Sequence, residues 1–193
     1  MLKNALVYLL ILFLIVLCYP VELPGQEQNG SISIGINYSY TGMSNEIGVA
    51  SGIGLDVLKK LNDTFGIGLK TGWFFPVDRS THGFNTESNY TKKMLATSLS
   101  AHVNLFRMGM INIYGTGAIV HHYSITRGEA TLFSDIHPFE HITKSLDSKG
   151  HGVTPLIGGG IELHNKLNFY IEPALVLIYS GRAVISTGIR VPL

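Results

Sequence analysis

Apolar and polar residues alternate with period two along much of the chain. Ile32, Ile34, Ile36, Tyr38 and Tyr40 share one parity, and Ser31, Ser33, Gly35, Asn37 and Ser39 share the other. Successive side chains of a strand point to opposite faces, so unbroken alternation of this kind predicts a β-strand with one apolar and one polar face. The design returns where Ile53, Leu55 and Val57 oppose Gly52, Gly54 and Asp56, and where Phe65, Ile67, Leu69, Thr71 and Trp73 oppose Gly66, Gly68, Lys70 and Gly72. Leu95, Thr97, Leu99, Ala101, Val103 and Leu105 then oppose Ser98, Ser100, His102 and Asn104. Residues 111–123 predict a fifth strand whose glycines leave its faces ambiguous. Three more follow: Val153, Ile157, Ile161 and Leu163 against Thr154, Gly158, Gly160 and Glu162; Phe169, Ile171, Leu175 and Leu177 against Tyr170, Glu172, Ala174 and Val176; and Ile185, Thr187, Ile189, Val191 and Leu193 against Ser186, Gly188 and Arg190.

Eight strands are therefore expected, and their links differ in length. Residues 42–48, 59–64, 106–110, 164–166 and 180–182 make short connections, while 76–90 and 124–150 are expected to be longer loops. Short turns on one side and longer loops on the other are the pattern of an antiparallel up-and-down transmembrane β-barrel. The fold class expected is all-β, with no internal repeat beyond the hairpin.

Alternation alone does not separate a membrane barrel from a soluble one, which also alternates but turns its apolar face inward. The polar face decides. It consists largely of Gly, Ser, Ala, Asn and Thr, too small and too sparsely charged for a water-facing surface and suited to a narrow barrel interior. The apolar face is large and aliphatic, as contact with lipid requires. Asp56, Lys70, Glu162, Glu172 and Arg190 all fall on the small face, which predicts a charge network in the barrel interior. Charges removed from water need partners, and a salt bridge of Glu172 with Arg190 on the last two strands, extended by Glu162 and Lys70, is expected. Eight strands leave an interior that side chains fill, so a closed lumen is expected rather than an open pore.

Composition changes the picture mainly at the N-terminus. Charged residues make up only 14% of the 193-residue chain, its net charge is +1, and nothing favours a nucleic-acid partner. Lys3 precedes an apolar run over residues 5–18, followed by Pro20 and the small-residue site Leu23, Pro24, Gly25. This order reads as a cleaved secretory signal peptide over residues 1–25, leaving 26–193 as one domain. The run is shorter than the roughly 20 apolar residues of a spanning helix. Cys18, the only cysteine, follows Leu17 where lipidation would want a small residue, so lipid attachment is not expected. Cleavage at Gly25 leaves no cysteine for disulfides, thiolate chemistry or metal binding.

Aromatic residues gather near the strand ends: Tyr38, Tyr40, Trp73, Phe74, Phe75, Tyr123 and Tyr179 toward the loop side, and Phe65, Phe106 and Phe169 toward the turn side. Two interfacial girdles would look like this, although β-propensity also enriches strands in aromatics. At the chain's end, Ser186, Gly188, Val191 and Leu193 stand in the spacing of the C-terminal assembly signal of outer-membrane barrels: polar, any, Gly, two any, hydrophobic, any, hydrophobic. Leu193 replaces the usual terminal aromatic. With the eight-strand plan, the chain resembles the OmpA-like or porin-family outer-membrane β-barrels of Gram-negative bacteria. The resemblance implies insertion by the barrel assembly machinery, contact with outer-membrane lipids, and both termini on the periplasmic side. It transfers no ligand and no catalytic residue.

Candidate chemistry is sparse. His137, Pro138, Phe139, Glu140 and His141 match the letters of a zinc-protease pattern, H-x-x-E-H, but lie in an expected loop with a proline inside the motif. His121 and His122 are adjacent on a strand and point to opposite faces, so they do not chelate one metal. His102 beside Ser98 and Ser100 suggests a Ser–His hydrolase, yet all three face the lumen by parity, away from lipid substrates. Gly158, Gly159 and Gly160 lie in no strand-to-helix unit and do not form a phosphate loop. No cofactor, metal or catalytic residue is expected. The functional expectation is a non-enzymatic outer-membrane barrel with a structural role or with loops that bind an extracellular partner; a lipid-modifying enzyme and a narrow channel are the alternatives.

Overall fold

The computed structural model describes residues 31–42, 49–83, 85–133, 141–177 and 183–193. The signal peptide expected at residues 1–25, Cys18, Tyr179, and the motif residues His137, Pro138, Phe139 and Glu140 lie outside them. The described chain forms eight strands: β1 Ile32–Gly42, β2 Val49–Lys60, β3 Phe65–His82, β4 Thr86–Met108, β5 Ile111–Phe133, β6 His141–Leu163, β7 Asn168–Val176 and β8 Ala183–Pro192. Each pairs antiparallel with its sequence neighbour, and β1 pairs with β8 to close the barrel. Closure leaves no sheet edge within the ring, which is what lets strands cross a hydrocarbon layer.

Parity works as the alternation predicts. Ile36, Leu55, Ile119 and Leu175 are each more than half exposed on the outside, while Asp56, Glu162 and Arg190 are 1–2% exposed inside. An apolar exterior over polar interior rows is the arrangement of a barrel solvated by lipid, the reverse of a water-soluble one.

Local chemistry sets the turns. Between β2 and β3 the Asn62 carboxamide oxygen accepts from the Thr64 and Phe65 amides at 2.9 and 2.7 Å, closing the link on itself. Between β4 and β5 Gly109 has a φ of +57° at the first position of a two-residue turn, a geometry that fits strand twist and favours glycine. The β3–β4 register slips by one residue between Phe74 and Val77. Pro76 lies in that slip, where its missing N–H removes no regular ladder bond.

Two expectations change here. Residues 76–90 and 124–150 are mostly not loops: β3 runs on to His82, β4 starts at Thr86, β5 reaches Phe133 and β6 starts at His141. The strands continue as paired hairpins beyond the length needed to cross a bilayer, roughly 9–11 residues. There both faces meet water, so the apolar alternation fades while backbone pairing persists. Phe74, assigned above to the outer girdle, is instead 7% exposed and packs inside against Ala50 and Met94; its neighbours Trp73 and Phe75, on the opposite parity, face outward.

Candidate functional site

The lumen has two halves. The inner half, toward the termini, is filled by a polar plug built from rows that barrel closure brings level. Arg190 on β8 lies opposite Gly35 of β1, and Gly35 lies opposite Asp56 of β2. A Cβ at Gly35 would collide with the Asp56 carboxylate and the Arg190 side chain, so the small residue makes room for the pair it separates. Arg190 Nε donates to Asp56 Oδ2 at 2.5 Å and its Nη1 reaches Glu162 Oε1 at 3.5 Å. The guanidinium also lies 3.9 Å from the Tyr170 ring centroid, a cation–π contact in a desolvated setting.

A second group sits above the first. Lys70 Nζ pairs with Glu172 Oε1, and Tyr114 donates its hydroxyl to Glu172 Oε2 at 3.0 Å. The Lys70 ammonium lies 5.3 Å from the centroid of the Tyr170 ring that also meets Arg190. All five charged residues predicted for the interior are therefore inside, and Lys70 and Glu162 join the network as expected, but its central pair differs. Glu172 and Arg190 form no ion pair. The β7–β8 register sets Glu172 opposite Ser186 and Arg190 opposite Asn168, four residues apart or about 13 Å at strand rise. The partners come from across the lumen and from β2 instead.

Tyr114 and Tyr170 were not singled out from the sequence, yet Tyr170 lies against both groups and Tyr114 holds the second. Each faces a glycine across the ladder, Tyr114 opposite Gly160 and Tyr170 opposite Gly188. A Cβ at Gly188 would stand 2.7 Å from the Tyr170 ring. A tyrosine paired with a glycine on the small face is the sequence signal that would have found both.

Ser100 and His102 are both 4% exposed, and Ser100 Oγ lies 3.0 Å from His102 Nε2. Ser100 Oγ also reaches the Gly68 carbonyl at 3.3 Å. Ser98 lies one inward row further out. His122 faces inward over Gly152, whereas His121 stacks on His151 at 5.6 Å, with Tyr123 4.8 Å from the same His151 ring. His141 begins β6 and is exposed. In the turn after β6, burial holds the His164 imidazole below its ordinary pKa against the upward pull of Glu162, 3.6 Å away. Among the described residues no three His, Cys, Asp or Glu side chains converge as a metal site. Of the terminal motif, Ser186 and Gly188 face the lumen, Ser186 Oγ lying 3.1 Å from Ser39 Oγ, while Val191 and Leu193 face outward.

The outer half of the lumen is different. It holds a cavity of about 460 Å³ above the Lys70–Glu172 pair, with Ala96, Ala118, Val120, Leu156, Val176 and Val184 in its walls. The closed lumen expected from strand number thus describes the inner half only. Small inward side chains in the outer rows leave the space unfilled.

The arrangement defines a class: a small, closed, eight-stranded transmembrane β-barrel of outer-membrane type, plugged on one side. Comparison with solved structures gives the same fold. Neisserial surface protein A (NspA) is 11% identical over 84% of this chain and 99% of that one, with a TM-score of 0.50. A de novo designed transmembrane β-barrel is 8% identical over 87% and 99%, with a TM-score of 0.51. No protein-family model and no curated protein matches the sequence.

Proposed function

We propose that this chain is a non-enzymatic integral barrel of the bacterial outer membrane that displays a projecting β-sheet to a partner outside the cell. One observation carries the reading, the inequality of strand lengths. β4, β5 and β6 have 23 residues each and β3 has 18, whereas β7 has 9 and β8 has 10. The short strands suffice to cross a bilayer. The long ones rise well past it as a four-stranded sheet, and function is commonly displayed on such extensions of a rigid scaffold. Among the described residues β3 beyond Phe74 has no β2 partner and β6 before Leu156 has no strand pairing to β7. Both termini then lie on the periplasmic side, where the barrel assembly machinery would engage β8, and the outward apolar rows contact outer-membrane lipid. The buried plug weighs against a conduction path.

The test combines topology with display. Cysteines placed at Ser80 and Ser145 should react with a membrane-impermeant maleimide on intact cells, while one at Asn62 should react only after the outer membrane is opened. A barrel with residues 79–90 and 127–148 each replaced by a tight turn should keep its unboiled gel mobility. It should lose the surface crosslinks that a membrane-impermeant amine-reactive crosslinker forms on intact cells with the full chain, although Lys92, Lys93 and Lys149 remain in the shortened one. Labelling of Asn62→Cys on intact cells, or crosslinks that persist after shortening, would overturn the reading.

A further inference from the structure

We infer that the outer half of the lumen is a binding site for one small amphiphile, a single apolar chain ending in a hydrogen-bonding oxygen group, admitted from the bilayer between β6 and β7. The inference stands apart from the displayed sheet and would survive its loss.

The cavity is of ligand size, since small-molecule sites run to about 300–1,000 Å³, and it measures about 460 Å³. An apolar band of Ala96, Ala118, Val120, Leu156, Val176 and Val184 lies between a polar inner end and an outer rim that carries Lys92 and His122. Two side-chain atoms there lack partners: Asn37 Nδ2 and Thr116 Oγ1 are buried with no hydrogen bond, although Asn37 Oδ1 accepts from Ser39 Oγ at 3.3 Å, and both residues, 4% and 7% exposed, line the cavity. Buried polar atoms without partners are uncommon and costly. One amide donor and one hydroxyl beside the Lys70–Glu172 pair suit an acceptor oxygen, as in a carboxylic acid or alcohol. The apolar rows above suit its chain.

The entry route follows from the β6–β7 seam. Pairing runs from Leu156↔Val176 to Gly158↔Ala174, lapses at Gly159 and Gly160, and resumes in the same register at Ile161↔Ile171. Pro173 stands in that lapse. Pro155 accepts from the Leu177 amide at 3.1 Å but has no N–H to return. In an antiparallel ladder a residue's N–H and C=O point the same way, and both prolines are on the parity that faces this seam, so each removes one of its bonds. Three residue pairs are left between the two gaps. Behind them lie the cavity walls Leu156, Ala174 and Val176. In front lie Val153, Ile157 and Leu175, each at least half exposed to the lipid side. Among the described residues no other seam beside the cavity loses two ladder bonds to prolines.

The probe is decanoic acid carrying a terminal diazirine, added to liposomes that contain the full mature barrel. Saturable labelling is expected on inward residues of 116–120 and 154–156, competed by unlabelled decanoic acid but not by decane. Thr116→Val should weaken it about tenfold, the loss of one hydrogen bond to a buried group. Ala118→Phe with Ala174→Phe should abolish it while unboiled gel mobility stays that of a folded barrel. An Ile157→Cys, Leu175→Cys pair, opposed in the ladder, should slow loading at least tenfold when oxidised and recover on reduction, with equilibrium labelling unchanged. Non-saturable labelling, or equal labelling in the folded double-Phe variant and in Thr116→Val, would overturn the site. Unchanged loading by the oxidised pair would overturn the lateral route.

Discussion

The inner and outer halves of the lumen are lined by the same eight strands on the same parity, yet they are built from different materials. The inner half holds Arg190, Asp56 and Glu162 at 1–2% exposure with two tyrosines wedged between the charges. In the outer half the corresponding rows carry Ala96, Ala118, Val120 and Val184 around open volume. A barrel of this width needs either bulky side chains or none at the axis. The inner half meets that need with paired charges, and the outer half leaves it unmet. Resistance to unfolding should therefore be concentrated in the plug, and tolerance to substitution in the cavity.

The largest effect is expected at Arg190. Replacing it with Met keeps volume but leaves the Asp56 and Glu162 carboxylates without their shared cation. Breaking a buried ion pair from one side costs about 3–5 kcal/mol, and here two acids are orphaned. Urea unfolding in detergent micelles, read by gel mobility without boiling, should show the midpoint falling sharply. A shift no larger than that of a surface substitution would mean that the plug does not hold the barrel.

A smaller loss is expected at Gly188. A methyl group there meets the Tyr170 ring and, at 2.5 Å, the Ile36 carbonyl oxygen. Overpacking of this kind costs about 1–3 kcal/mol, and the backbone contact prevents escape by side-chain rotation alone. Gly188→Ala should unfold at lower urea than the parent chain. The double variant Gly188→Ala, Tyr170→Phe should recover little, because the clash is with the ring and the carbonyl rather than with the phenol oxygen.

Much of this was legible in the sequence, and the omissions have physical causes. Period two assigns faces, so Asp56, Lys70, Glu162, Glu172 and Arg190 could be placed inside as a set. It does not give the stagger between strands, and stagger decides partners: Glu172 faces Ser186, not Arg190. On β5 Gly115 and Gly117 occupy outward positions where apolar residues would have marked the face, which hid Tyr114 on the other. Asp78, Arg79, Arg127 and Glu129 made the hairpin arms look like loops, because above the bilayer neither strand face needs to be apolar. The cavity was hidden for a simpler reason. Alanine and valine on an inward face give no signal that tells a tight interior from an empty one.

The smallest effect, and the sharpest test of the contrast, is expected at Ala118. In the plug an added isobutyl group would have nowhere to go. At Ala118 it projects into the outer cavity, between walls that include Val120 and Leu156. Filling a cavity recovers the contacts its lining lacks, since stability falls with empty volume by about 24 cal/mol per Å³ in measured core deletions. The new side chain also loses some rotamer freedom, about 0.5–1 kcal/mol for Leu. The two terms oppose each other, so Ala118→Leu should lie within about 0.5 kcal/mol of the parent chain or slightly above it in the same urea assay. A destabilisation as large as that of Gly188→Ala would show that the outer half is as tightly specified as the inner one, and the two halves would then differ in chemistry but not in packing.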